Sequence, residues 1–289
     1  MQFVPSPPCV VVGIDGSRTA VGAALWAVDE AVSRDIPLRL VYAIEPSDQA
    51  RVDPHSAAHD LATAEIAVRY AFTAVEATEK PVKIEVEILQ GRSPKRALLE
   101  ASQSAAMICV GSMGFKHATQ GRIGSTAAAV ANSAHCPVAI IRGFDPQPTQ
   151  PGWVVAEVDG SAWSSGVLQR GLDEARLRHA PLRVLTSWKS RFTDIHDSRA
   201  VPDGNRLAKA ELERRLAVWR RRYPGLDIRP VVVHGTTLNY LARNAKSIQL
   251  VVVGRERAHG VGDIVGPLGH AALHNTDCSL LVCESQNTL

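Results

Sequence analysis

Gly111-Ser112-Met113-Gly114, followed nine residues later by Gly124-Ser125-Thr126, is the segment best suited to chemistry in this chain. Glycine has no Cβ and tolerates positive φ. Backbone N–H groups around Gly111 and Gly114 can therefore come close to phosphate oxygens. Gly124-Ser125-Thr126 opens a helix-like segment, Ala127 to Ala134, whose free N–H groups and positive dipole end favour an anion. The hydroxyls of Ser125 and Thr126 add neutral donors. Lys116 and Arg122 lie within the loop and can supply charge, although the sequence does not fix their direction. Asp15, at the end of the run Val10 to Ile14, is a further candidate, but an aspartate there also suits capping of the next helix.

The elements that must position these residues alternate between β-rich and helical. Strands are expected near 8–14, 37–43, 82–89, 106–111 and 137–142. Thr19 to Arg34 places Ala23, Ala27, Val28 and Ala31 on one helical face. Ser93-Pro94 reads as a helix start, with serine as N-cap and proline at the first helical position. The runs 106–111 and 137–142 are apolar throughout, as expected when helices cover both sheet faces. Such alternation predicts an α/β fold with a doubly wound parallel sheet. Ligands then sit beyond the carboxyl ends of the strands, here just after Ile14, Ala43, Leu89 and Val110.

The pattern occurs twice. Val10-Val11-Val12-Gly13-Ile14-Asp15-Gly16-Ser17 returns as Val154-Val155-Ala156-Glu157-Val158-Asp159-Gly160-Ser161. Pro37-Leu38-Arg39-Leu40 returns as Pro181-Leu182-Arg183-Val184, Gly91 as Gly235, and Gly111 as Gly254. A proline-rich stretch between the copies reads as a stiff linker. The expected organisation is a first domain over 1–144, a linker over 145–151 and a second domain over 152–289.

The Gly-x2-Gly-x9-Gly-Ser pattern, together with Val-x-Ile-Asp-Gly-Ser on the first strand, resembles the universal stress protein family over nearly the whole chain. The resemblance implies two tandem Rossmann-like domains of the adenine nucleotide alpha hydrolase-like type, each with five parallel strands, and it implies ATP binding, possible with Mg²⁺. Asp15 and the backbone around Gly13 and Ala43 would hold adenine and ribose, and Gly111, Gly114, Gly124, Ser125 and Thr126 the phosphates. The family also commonly pairs domains through its last strand. Strands at 137–142 and 278–284 are the expected pairing edges, in a homodimer or between the two copies.

The second copy keeps Asp159, Gly235, Gly254 and Gly266, which leaves at most a weak second site at Asp159, Gly254 and Gly266. Arg257 stands where Gly114 stands in the first copy, and Pro267 replaces Ser125, removing a hydroxyl and a backbone donor. One competent ATP site and one degenerate copy are expected. Gly260, Gly262 and Gly266 only approximate a dinucleotide-binding fingerprint.

Several function classes are disfavoured. There is no Gly-x4-Gly-Lys loop and no Gly-x-Ser-x-Gly elbow. Asp15-Gly16-Ser17-Arg18 is not the Ser-Gly-Gly-x-Asp-Ser loop of related ATP-cleaving folds. A regulatory ATP-binding protein is therefore expected rather than a metabolic enzyme, with a slow ATPase and a ligand-free dimerising scaffold as rivals. A net charge of +3 gives no sign of a nucleic-acid partner. Arginines at 214, 215 and 220–222 read as a solvated helix face, with Glu211 pairing Arg215 and with Leu212, Leu216 and Trp219 on the core side. The pairs His55/His59 and His270/His274 lack further metal ligands in the sequence. The five cysteines sit in apolar runs and read as buried thiols of a reducing compartment. No apolar run approaches the roughly 20 residues that span a bilayer. The N-terminus does not read as a secretory signal, so a cytoplasmic location is expected.

Overall fold

The computed structural model describes residues 8–46, 54–114, 123–143, 152–161, 164–189, 199–257, 260–273 and 276–284. The chain divides into two compact units, Met1–Gln147 and Pro148–Leu289. The linker expected at 145–151 lies outside the described residues, as do Lys116, Arg122 and His274.

In the first unit the order is β1 (Val10–Ile14), α1 (Arg18–Arg34), β2 (Leu38–Ile44), α2 (Pro54–Glu76), β3 (Ile84–Gln90), α3 (Pro94–Ala101), β4 (Met107–Gly111), α4 (Ser125–Ser133) and β5 (Val138–Ile141). All pairings are parallel, in the spatial order β3-β2-β1-β4-β5. The chain builds outward from β1 to β3, then returns to place β4 on the other side of β1. The strand order therefore reverses between β1 and β4, which opens a crevice at their carboxyl ends. Val10, Val11 and Val12 of β1, and all four residues of β5, are buried, so both sheet faces are covered there.

Local sequence explains the helices that frame this crevice. Ser17 has extended backbone angles and its Oγ accepts from the Ala20 amide at 3.2 Å, which starts α1. Buried Ala20, Ala23, Ala24, Ala27 and Ala31 form its inner face. Small side chains let the helix lie close to β4. Asp35 ends it in the left-handed region, φ 53°. Ser93 caps α3 with Pro94 at its first position, as the sequence predicts.

The second unit repeats this plan with β6 (Trp153–Glu157), α5 (Ser164–Leu177), β7 (Leu182–Trp188), α6 (Ala200–Arg222), β8 (Ile228–His234), α7 (Thr237–Asn244), β9 (Ile248–Gly254), α8 (Gly262–Val265), α9 (Pro267–Ala272) and β10 (Ser279–Cys283). Its parallel order, β8-β7-β6-β9-β10, mirrors the first. Fine details recur as well. Gly91 and Gly235 both take positive φ, 70° and 111°. Glu30–Arg34 and Glu174–Arg178 are matching ion pairs, at 2.6 and 3.0 Å, with both carboxylates buried.

The arginine-rich helix α6 differs from the sequence reading. Glu211 pairs with Arg214, while the Arg215 Nη1 donates instead to the Asp159 carbonyl at 3.1 Å. Arg220 donates to the Ile228 carbonyl and pairs with Glu213. Leu212 and Leu216 are buried, but Trp219 is only half-buried, close to Tyr223 and Arg222. Arg215 and Arg220 are thus held by the fold, whereas Arg214, Arg221 and Arg222 are exposed on the solvated face that the sequence predicts. His55 and His59 are both exposed on α2.

All five cysteines are buried. Burial pushes the Cys283 thiol up to about 12 and also raises Cys9. Thiols so protonated and enclosed are poor nucleophiles. The native protein is expected to leave a disulfide chromogen unreacted at pH 8, with all five thiols titrating after denaturation. Rapid reaction of a native thiol would contradict this. Among the described residues no helix is long and apolar enough to cross a membrane.

Candidate functional site

The crevice of the first copy draws together residues far apart in the chain. Gly13 sits in β1 between Val41 of β2 and Val110 of β4. A Cβ there would stand 3.1 Å from Leu98 Cδ1 of α3, so glycine makes room for that helix. Asp15 follows β1. Its Oδ1 accepts from the Ser17 amide at 3.0 Å, which fixes the turn into α1, and Gly16 takes φ +82°. Asp15 is therefore both a turn-former and a crevice residue. Ala43 lies one step beyond the Ile14–Tyr42 pairing, beside Leu89 of β3. Tyr42 titrates above its ordinary value, chiefly through burial and then through the nearby Asp15 carboxylate.

The two loop glycines act by close approach, and neither adopts the positive φ that the sequence reading allows them. A Cβ at Gly111 would fall 2.6 Å from the Thr19 carbonyl carbon and 2.7 Å from the Ala20 amide nitrogen. Gly111 thus lets the start of α1 rest on the end of β4. A Cβ at Gly114 would lie 2.9 Å from Asp15 Oδ2. The Gly114 backbone and the Asp15 carboxylate are therefore neighbours across the crevice. Thr19 Oγ1 donates to the Met113 carbonyl at 2.5 Å, pinning the loop to α1. Gly124 donates to the Ser112 carbonyl at 2.8 Å and occupies the N-cap of α4, with no side-chain cap. Ser125, exposed, and Thr126, half-buried, begin that helix. The first turn of α4 thus faces the Gly111–Gly114 segment, and the start of a helix favours an anion placed there.

The equivalent crevice of the second copy is rebuilt. Glu157 occupies the place of Gly13, and Arg257 that of Gly114. The Arg257 guanidinium donates to Glu157 from Nε at 2.7 Å and from Nη2 at 2.8 Å, a bidentate pair. Its Nη1 donates to the Gly260 carbonyl at 3.0 Å and also pairs with Asp263. Thr237 Oγ1 donates to Glu157. Arg257 and Glu157 are 9% and 12% exposed, so this cluster is largely desolvated. Burial alone would lower the Arg257 pKa, but Glu157 and Asp263 together hold it above its ordinary value.

Asp159 retains the turn of Asp15, with its Oδ1 accepting from the Ser161 amide at 2.9 Å. The Ser164 hydroxyl lies 2.6 Å from the same oxygen. Gly254 closes β9 and, with Glu157, Asp159, Trp188 and Arg257, lines a cavity of about 610 Å³. Gly266 serves the chain turn between α8 and α9, where a Cβ would meet the Gly262 carbonyl at 2.4 Å. Pro267 is the first residue of the six-residue α9. Glu157, Thr237 and Asp263 were not among the residues the sequence reading singled out. The available signal was the exchange of Gly13 and Gly114 for residues of opposite charge.

Burial alone would raise the Asp159 carboxyl, but hydrogen bonds from Ser161 and Ser164 outweigh it and hold the group below the ordinary aspartate value. Glu85 is also held low, by Lys83 first and then by Arg39 against the opposing effect of burial. A folded-state pKa below the unfolded one contributes stability that is complete above the unfolded value, roughly 4, and is lost as pH falls through the lower folded value. The melting temperature is therefore expected to fall as pH drops below about 4. Asp159→Asn should flatten that slope; an unchanged slope would remove Asp159 from the account.

A five-stranded parallel sheet, doubly wound and open at the β1/β4 reversal, makes each copy a Rossmann-like domain. The profile of the universal stress protein family matches residues 9–142 and again 154–284, and the chain belongs to that family. It is 49% identical over 281 residues to a universal stress protein of Mycobacterium tuberculosis strain H37Rv, covering 97% of both chains. It is 44% identical over 281 residues to another universal stress protein of that strain, covering 96% of each. The crystal structure of a universal stress protein from Archaeoglobus fulgidus DSM 4304 shares the fold, with a TM-score of 0.70, 17% identity and 97% of each chain covered.

Proposed function

We propose that the chain is a nucleotide-dependent regulatory protein of the stress response, cytoplasmic, whose first copy binds ATP with Mg²⁺ and whose second copy binds it weakly or not at all. Domains over 1–144 and 152–289 belong to the same reading. The observation that supports it best is the 2.9 Å approach of a Gly114 Cβ position to Asp15 Oδ2. A carboxylate suited to hydroxyl or amine donors thus lies beside a side-chain-free backbone, with the uncapped start of α4 next to it. A ligand that carries hydrogen-bond donors at one end and phosphates at the other matches this arrangement. Bound nucleotide would act by favouring one conformation or partner state through differential affinity.

Acid extraction of freshly purified protein, followed by chromatography of the released nucleotide, tests the reading. ATP near one equivalent per chain is expected. Absence of extracted ATP, together with no titratable ATP binding, would overturn it and favour a ligand-free scaffold.

A further inference from the structure

Half of the crevice is preserved in the second copy and half is replaced. The preserved half is the aspartate turn: the Ser–Asp bonds are 3.0 Å at Asp15 and 2.9 Å at Asp159. The replaced half is the phosphate side, now occupied by the Glu157–Arg257–Asp263 cluster. The cavity has nevertheless not closed, and its volume of about 610 Å³ lies in the range of small-molecule sites.

Charge decides what it can take. Among the described residues, four carboxylates, from Glu157, Asp159, Glu256 and Asp263, line the cavity against two cations, Lys189 and Arg257. Arg257 is directed at Glu157, Asp263 and the Gly260 carbonyl. Its guanidinium is thus already neutralised by the protein's own carboxylates. A triphosphate entering here would face net negative charge and would have to displace those internal anions. Elsewhere the wall offers an uncharged ligand the Trp188 ring, the Asp159 carboxylate as acceptor, and the hydroxyl oxygens of Ser161 and Thr237, which donate to Asp159 and Glu157 and are left as acceptors.

We propose that the cavity of the second copy is a binding site for an unphosphorylated nucleoside, with the Glu157–Arg257–Asp263 cluster standing where phosphates would lie. The choice of a nucleoside rests on the ATP reading of the first copy; the exclusion of phosphates rests on the cluster alone. The aspartate end selects hydrogen-bond donors on the ligand, and the ion-pair end repels anions. The two copies would then distinguish a nucleotide from its dephosphorylated core within one chain.

Equilibrium dialysis of the full-length Gly114→Arg protein, in which the first site is blocked, with radiolabelled adenosine and ATP tests this. One adenosine per chain is expected, with ATP at least about 30-fold weaker. Asp159→Asn in the same background should weaken adenosine about tenfold, the loss of one charge-assisted hydrogen bond. Replacing both Glu157→Gly and Arg257→Gly should narrow the gap between adenosine and ATP. No saturable adenosine binding, in protein that melts as the parent does, would overturn the proposal, as would ATP binding as tight as adenosine. If Gly114→Arg does not fold, the parent protein serves: with the first site saturated by ATP, one adenosine still bound per chain supports the site, and full displacement of adenosine by one equivalent of ATP defeats it. Parent protein that binds no ATP, yet binds adenosine in an Asp159-dependent way, would end the ATP reading of the first copy and leave this site standing.

Discussion

Gly114→Arg protein is expected to fold as the parent does and to lose ATP binding by at least about 100-fold. Two observations set this expectation. The Cβ of any side chain at 114 falls 2.9 Å from Asp15 Oδ2, so the carboxylate must move. The arginine then has a neighbouring carboxylate to pair with, as Arg257 pairs with Glu157 in the second copy. Phosphate ground would be filled and Asp15 engaged. Losing two charge-assisted contacts, each worth about 1.5–3 kcal/mol, gives the 100-fold figure. The melting temperature should shift by no more than about 3 °C, because the crowded atom is the end of a side chain rather than backbone. Gly114→Ala adds the clash without the charge and should cost about tenfold in affinity. Gly111→Ala makes a sharp contrast, because its Cβ would strike the backbone of Thr19 and Ala20. It should destabilise the fold itself. Calorimetric titration with ATP beside thermal melting separates the three. ATP affinity unchanged in Gly114→Arg would show that the crevice is not the ATP site.

Arg257→Ala is the largest stability effect expected in the second copy, about 3–4 kcal/mol. Removing the cation leaves Glu157 and Asp263, 12% and 20% exposed, as carboxylates without their common partner in a desolvated place. Breaking a buried pair from one side is costly, whereas replacing both partners leaves neither charge of the pair stranded and costs less. The double replacement Glu157→Gly and Arg257→Gly installs the residues of the first copy at both positions. It should therefore cost less than Arg257→Ala alone, an interaction that a double-mutant cycle measures directly. Urea unfolding followed by fluorescence is well suited, since four of the five tryptophans, Trp153, Trp163, Trp188 and Trp219, lie in the second half. A double variant less stable than the single would show that the cluster is not a mutually dependent unit.

The strand pattern and the duplication were legible in the sequence because they are local and periodic. Apolar runs such as 106–111 and 137–142 locate buried strands, and the recurrence of Pro37 as Pro181 and Gly91 as Gly235 aligns the two copies. The gathering of Gly111, Gly114, Gly124 and Asp15 at one crevice followed from strand order, which α/β alternation strongly constrains. What the sequence concealed was the reason for each glycine. At Gly111 that reason is the backbone of α1, brought close by a stripe of alanines, and not the φ angle. Glu157 and Arg257 are 100 residues apart, and no local spacing reports their pairing. Glu211 has partners at both three and four residues along α6. The pull of the Asp159 carbonyl on Arg215 settles which one it takes.

The Glu157–Arg257 pair also constrains mutational order. From a crevice with glycine at both positions, arginine at 257 is the easier first step, because Asp263 is at hand to receive it. Glutamate at 157 without arginine would set an uncompensated charge at the end of a buried strand. The reverse route is harder still: removing Arg257 first strands two carboxylates, and removing Glu157 first leaves the guanidinium filling the crevice. Each single reversion lowers stability without restoring the site. The second copy is thus held by a ratchet, and its divergence from the first is easier to enter than to leave.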